Sequence, residues 1–94
     1  MRIVWTDEAL DDLEEILAYY YVQARPRIAG SIERRIVEQI EALLPFPERI
    51  RKSDRIPDAR ELVVNKLPYI VFVKLFPDSV VVLNVIHTAR KFPA

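Results

Sequence analysis

Six side chains in the C-terminal part of this 94-residue chain hold most of the chemistry it could perform: Arg60, Lys66, Tyr69, His87, Arg90 and Lys91. An imidazole, a phenol and four cations suit metal-free cleavage of RNA. In that reaction a base takes the 2′-hydroxyl proton, an acid protonates the leaving oxygen, and cations stabilise the charge on the phosphorane. His87 is the one side chain here that titrates near neutrality when unperturbed. A competing reading is structural. A lone histidine closing an apolar strand commonly serves as a hydrogen-bonded structural group, neighbouring cations discourage protonation of its imidazole, and Arg90 and Lys91 equally suit a solvated tail. The residues alone leave both readings open.

Other chemistries are harder to build. A zinc site needs three or four nitrogen, sulfur or carboxylate ligands, and the chain has one histidine and no cysteine, so no metal is expected. Ser31, Ser53 and Ser79 sit in no strand-to-helix nucleophile turn beside His87, which discounts acyl transfer. A single glycine rules out the glycine-rich phosphate cradles, and no cofactor is expected. The densest basic cluster is Arg49, Arg51, Lys52 and Arg55, with Phe46 its only nearby aromatic. Stacking platforms for single-stranded RNA use more rings than that, so direct nucleic-acid binding is not expected there. The run Tyr19, Tyr20, Tyr21 must, at helical spacing, send one ring to the core and another to water.

Net charge is zero, from 14 basic and 14 acidic side chains, but its distribution is uneven. Residues 1–24 hold Arg2 against Asp7, Glu8, Asp11, Asp12, Glu14 and Glu15, a segment that repels phosphates. Residues 25–60 reverse the balance with nine cations against six anions. Absence of cysteine makes a reducing cytoplasm the default expectation. The chain begins with no apolar signal-peptide core, and no apolar run approaches the ~20 residues of a membrane span.

The elements that must position these groups follow from periodicity. Met1 to Trp5 reads as a strand, and Thr6 has N-cap chemistry, with Asp7 and Glu8 suited to the positive end of a helix. Leu10, Leu13, Ile16, Leu17, Tyr20, Tyr21 and Ala24 recur at steps of three and four, the mark of one helical face. Pro26 interrupts that pattern. Ile28, Ile32, Ile36, Ile40, Leu43 and Leu44 mark a second helix, which Pro45 and Pro47 end. Residues 45–58 read as a surface loop, 59–64 as a strand, 65–68 as a turn, and 69–76 and 80–87 as two antiparallel strands. The predicted architecture is a single α+β domain of order βααβββ, a helical hairpin packed on a small sheet. Both late strands are apolar at nearly every position, which predicts cover on both faces: helices on one, and a partner or simply neighbouring strands on the other.

The run W-T-D-E-A-L-D-D-L-E-E-I-L-A-Y-Y, Arg60-Glu61-Leu62 opening a strand, Leu67-Pro68-Tyr69-Ile70-Val71-Phe72, and Val85-Ile86-His87 followed by Arg90 occur in an order and spacing that resemble the RelE/ParE superfamily of toxin-antitoxin toxins, its ParE branch above all. The resemblance spans nearly the whole chain. It implies a toxin of a plasmid-stabilisation type, encoded beside a small antitoxin (ParD-like or other) that wraps its apolar surfaces in a hetero-oligomer. ParE-type members are associated with poisoning DNA gyrase, and RelE-type members with cutting messenger RNA on the ribosome.

Two departures separate the branches. The nuclease pattern carries an arginine after the tyrosine and a tyrosine near the end, where this chain has Ile70 and Phe92-Pro93-Ala94. Loss of a positioned acid or base costs roughly 10²- to 10⁴-fold in rate, so inhibition by binding is expected over catalysis. The resemblance therefore implies target-binding residues at Arg60, Lys66, Tyr69, His87, Arg90, Lys91 and Phe92. In the nuclease alternative Arg60, His87 and Arg90 would be catalytic, and a non-toxic member would only bind its antitoxin. Antitoxin-binding candidates lie on the apolar elements: Leu17, Tyr20, Tyr21, Ile32, Ile36, Val71 and Val73.

Overall fold

Thr6 joins the first strand to the first helix and binds both to the far end of the chain. The structure is a computed structural model that describes residues 1–89. Strand β1 spans Arg2–Trp5 and helix α1 Asp7–Gln23. The Thr6 hydroxyl accepts the Ala9 N–H at 3.1 Å, the N-cap bond expected of it, and points its own proton between the carbonyls of Val82 and Leu83 at 3.0 and 3.1 Å.

Helix α2, Pro26–Glu41, follows after a break of two residues. Pro26 takes the first helical position, where its missing N–H costs nothing and its fixed φ is already helical. A 3₁₀ turn, Pro47–Arg49, comes next, and Arg49 donates through Nη2 to the Ala42 carbonyl at 2.8 Å, capping the end of α2. Strands β2 (Arg51–Lys52), β3 (Arg60–Val63), β4 (Tyr69–Phe76) and β5 (Ser79–His87) complete the chain.

These strands form one mixed sheet in the order β1-β5-β4-β3-β2. β1 runs parallel to β5, with Ile3 opposite Val80, and the other neighbours are antiparallel. The predicted α+β hairpin-on-sheet architecture is therefore present, with a fifth strand in place of part of the 45–58 loop. Two charged residues, Arg51 and Lys52, pair with Glu61 and Arg60 to make it. Between the pairs Phe72–Asn84 and Val73–Val82 the β5 residue Leu83 has no opposite number, which is a bulge.

The bulge lets Val82 and Val85 both face the helices. They join Val71, Val73 and Val80 beneath Ala9, Leu13, Ile32, Ile36 and Ile40 in the main core. On the other side of the sheet Ile70, Phe72 and Ile86 form a second cluster, with Ile56 from the β2–β3 loop packed against it. The chain thus supplies some of its own cover for the second apolar face. α1 turns Ala9 and Leu13 inward, whereas Leu10, Tyr21 and, on α2, Ile28 are exposed. The stripes of both helices are thus narrower than their apolar periodicity implied. No helix among the described residues is long and apolar enough to cross a membrane.

Candidate functional site

Past Trp5 the sheet loses its β1 neighbour, and α1 takes over the exposed edge of β5. Asp12 accepts the Val85 backbone N–H at 2.9 Å and the Asn84 amide at 3.2 Å, both on Oδ2, and Glu8 accepts the same amide at 3.1 Å. Two acidic residues of the N-terminal phosphate-repelling segment thus fasten the helix to the strand.

Beyond this junction α1 and the end of the sheet diverge, opening a cleft of about 480 Å³. Tyr19, Tyr20, Tyr69 and His87 wall it, with the carboxylates of Asp12 and Glu15 on the helix side. Tyr69 and His87 are directly paired across β4 and β5, their rings edge to face at 5.4 Å. Tyr69 is 5% exposed, and its hydroxyl lies 3.5 Å from that of Tyr20. Burial, then the hydrogen bond and the charge of Tyr20, hold the Tyr69 phenol well above the usual tyrosine range, so it is neutral at any physiological pH. His87 is exposed at the strand end. Its Nδ1 accepts the Ala89 N–H at 3.1 Å, which places any proton of the neutral ring on Nε2. Of the three consecutive tyrosines, Tyr20 packs against the core while Tyr19 and Tyr21 face water.

Lys66 lies in the β3–β4 turn at the same end of the sheet, with φ 67°. That turn is pinned from two sides. Asn65 exchanges two hydrogen bonds with the Gln39 side chain, and the Thr88 N–H donates to the Pro68 carbonyl at 2.8 Å. Lys66, Tyr69 and His87 therefore share one end of the molecule.

Arg60 does not join them. It pairs opposite Val73, four positions along β4 from Tyr69, or roughly 13 Å at the strand rise. Its Nη1 donates to the carbonyls of Ile50 at 2.8 Å and Glu48 at 3.2 Å. In this position the guanidinium holds the 3₁₀ turn and β2 against β3. Arg90, Lys91 and Phe92 lie outside the described residues. Among the described residues no group of histidine and acidic side chains could hold a metal ion.

The candidates for antitoxin contact divide by burial. Ile36, Val71 and Val73 are fully enclosed between helices and sheet, and Ile32 is nearly so, because α2 lies across that face. They are packing residues in this fold and offer no docking surface. Leu17 and Tyr21 instead line a shallow groove along the outside of the hairpin, with Ala18, Val22 and Gly30. Tyr21 is 60% and Val22 75% exposed, and a side chain added at Gly30 would meet nothing within 4 Å. Val22 was not among the expected residues, since it lies off the apolar stripe, and its exposure is visible only once the helix is docked.

A helical hairpin packed on a small mixed sheet is the architecture expected of a small toxin of the RelE/ParE kind. The chain belongs to the ParE toxin family of type II toxin-antitoxin systems (parDE), whose model matches residues 3–92. It is 37% identical over 92 residues to "Putative toxin Y4kP" of Sinorhizobium fredii (strain NBRC 101917 / NGR234), covering 98% of this chain and 93% of that protein. Its fold matches a solved structure described as the chromosomal ParDE TA system from P. aeruginosa. The TM-score is 0.83 at 24% identity, over 93% of this chain and 95% of that one.

Proposed function

We propose that this toxin acts by binding and inhibiting DNA gyrase, and that a cognate antitoxin holds it inactive in a toxin-antitoxin complex. Gyrase as the target is what the family resemblance implies, and the observation that favours binding over RNA cleavage is the separation of Arg60 from His87. A ribonuclease needs its cations and its acid or base around one phosphate. Here Arg60 is committed to backbone carbonyls of the Glu48–Ile50 segment, while His87 lines a cleft that also holds Asp12 and Glu15. Carboxylates lining the same cleft oppose the binding of a phosphate there. A binding inhibitor requires only an accessible surface, and the end of the sheet carrying Lys66 and His87 supplies one.

The antitoxin half of the reading rests on the groove over the hairpin. Leu17, Ala18, Tyr21 and Val22 form an apolar strip bordered by Glu14 and Glu33, suited to an amphipathic segment with basic flanks.

Pulse labelling after induction of the toxin without its antitoxin separates the targets. Gyrase inhibition predicts that thymidine incorporation falls first while methionine incorporation persists. An immediate fall in methionine incorporation, with messenger RNA cleaved at codons, would make the protein a ribosome-dependent nuclease instead.

A further inference from the structure

We propose that the cleft between α1 and the end of β4 and β5 receives a cationic side chain, an arginine or lysine carried by the antitoxin. This inference rests on the antitoxin half of the proposed function. The cleft combines two features that act on the same ligand. Asp12 and Glu15 supply negative charge, and Asp12 is held in place by its bonds to β5. Tyr19, Tyr20 and Tyr69 supply ring surfaces, which attract guanidinium and ammonium groups through their π faces. Among the described residues, none that lines the cleft is a lysine or arginine. The aromatic walls favour an organic cation over a metal ion, which needs more ligating groups than the cleft presents.

Position argues for the antitoxin as the source. The apolar groove and the cleft flank α1 on its two sides, and exposed Glu15 at the cleft edge and Ala18 and Val22 at the groove edge form the outer ridge that separates them. A helix with its side chains is roughly 10–12 Å across, so one segment crossing α1 can fill the groove and place a basic residue in the cleft. That residue would cover Tyr69 and His87, and neutralisation would then include direct occlusion of the surface proposed for the target.

The test uses acetyl-arginine-amide and its neutral isostere acetyl-citrulline-amide, titrated into the free toxin and followed through its aromatic NMR resonances. The arginine probe should give saturable shifts of Tyr19, Tyr20, Tyr69 and His87 in the millimolar range, and the citrulline probe should bind more weakly. Glu15→Gln and Tyr19→Ala, both at exposed positions, should each weaken the arginine probe by about two- to fivefold. Equal binding of the two probes, or no saturable shift, would overturn the proposal. In the complex with the antitoxin encoded beside it, the same resonances should no longer respond. A response undiminished in that complex would overturn the choice of occupant. Failure of any adjacent gene product to bind the toxin would remove the antitoxin reading itself, an outcome distinct from a silent cleft.

Discussion

Tyr69 and His87 stand opposite each other in the β4–β5 ladder, and their rings meet edge to face at 5.4 Å and 89°. The pair joins the buried core to the exposed end of the sheet, because Tyr69 belongs to the helix-facing cluster and His87 is open to water.

Burial of Tyr69 gives stability an alkaline dependence. Its pKa in the folded chain is raised above the ordinary value of 10.0, so the unfolded chain loses that proton first. Stability from the neutral phenol is complete below pH 10 and declines above it, by at most about 1.4 kcal/mol per pH unit. Urea unfolding at pH 8 to 11 should show the native protein losing stability more steeply than Tyr69→Phe. Parallel curves would mean that the phenol is not buried in the fold.

Thr6 holds the start of α1 to the bulged part of β5. Thr6→Ala removes the cap on the Ala9 N–H and the donor to the Val82 and Leu83 carbonyls together. Loss of an N-cap costs about 1 kcal/mol, and the second role should bring the total to about 1–2 kcal/mol. Thr6→Ser should recover most of it. Chemical denaturation of the three proteins measures both quantities.

Lys66 combines a left-handed backbone with a charge at the proposed target surface. Asparagine enters that conformation more easily than lysine, so Lys66→Asn should leave stability unchanged or raise it by up to about 1 kcal/mol. Toxicity in a growth assay should nevertheless fall. Full toxicity would reduce Lys66 to a turn residue.

The C-terminal end beyond His87 is expected to serve the target more than the antitoxin. Arg90→Ala, and truncation after Ala89, which keeps the Thr88 and Ala89 backbone bonds, should lower toxicity while complex formation with the antitoxin stays largely intact. The readouts are growth after induction and co-purification with the antitoxin.

Much of this fold was legible in local patterns. The chemistry of Thr6, the apolar runs over residues 69–76 and 80–87, and the Ile32-Ile36-Ile40 stripe each report on their own surroundings, and each forms the element it indicates. What escaped depends on partners distant in the chain. β2 has only Arg51 and Lys52, with no periodicity to betray it, and becomes a strand because β3 offers an edge. The parallel pairing of Ile3 with Val80 joins residues 77 apart. In the sequence Asp12 is one of six anions in a phosphate-repelling segment, and only the end of β1 at Trp5 exposes the β5 edge that it serves. The site divides in the same way. Tyr69 and His87 were identifiable as chemical groups, and their pairing follows from antiparallel register. The commitment of Arg60 to the Glu48 and Ile50 carbonyls, and the acidic residues that line the cleft with His87, follow from packing alone.

The most direct test of the account is a supercoiling assay with purified DNA gyrase, run beside cleavage of messenger RNA on programmed ribosomes with the same toxin preparation. The account predicts that supercoiling falls with increasing toxin, is restored by the antitoxin, and is accompanied by no cleavage of the message. Cleavage of the message with supercoiling intact would contradict it, and would return Arg60 and His87 to consideration as catalytic groups.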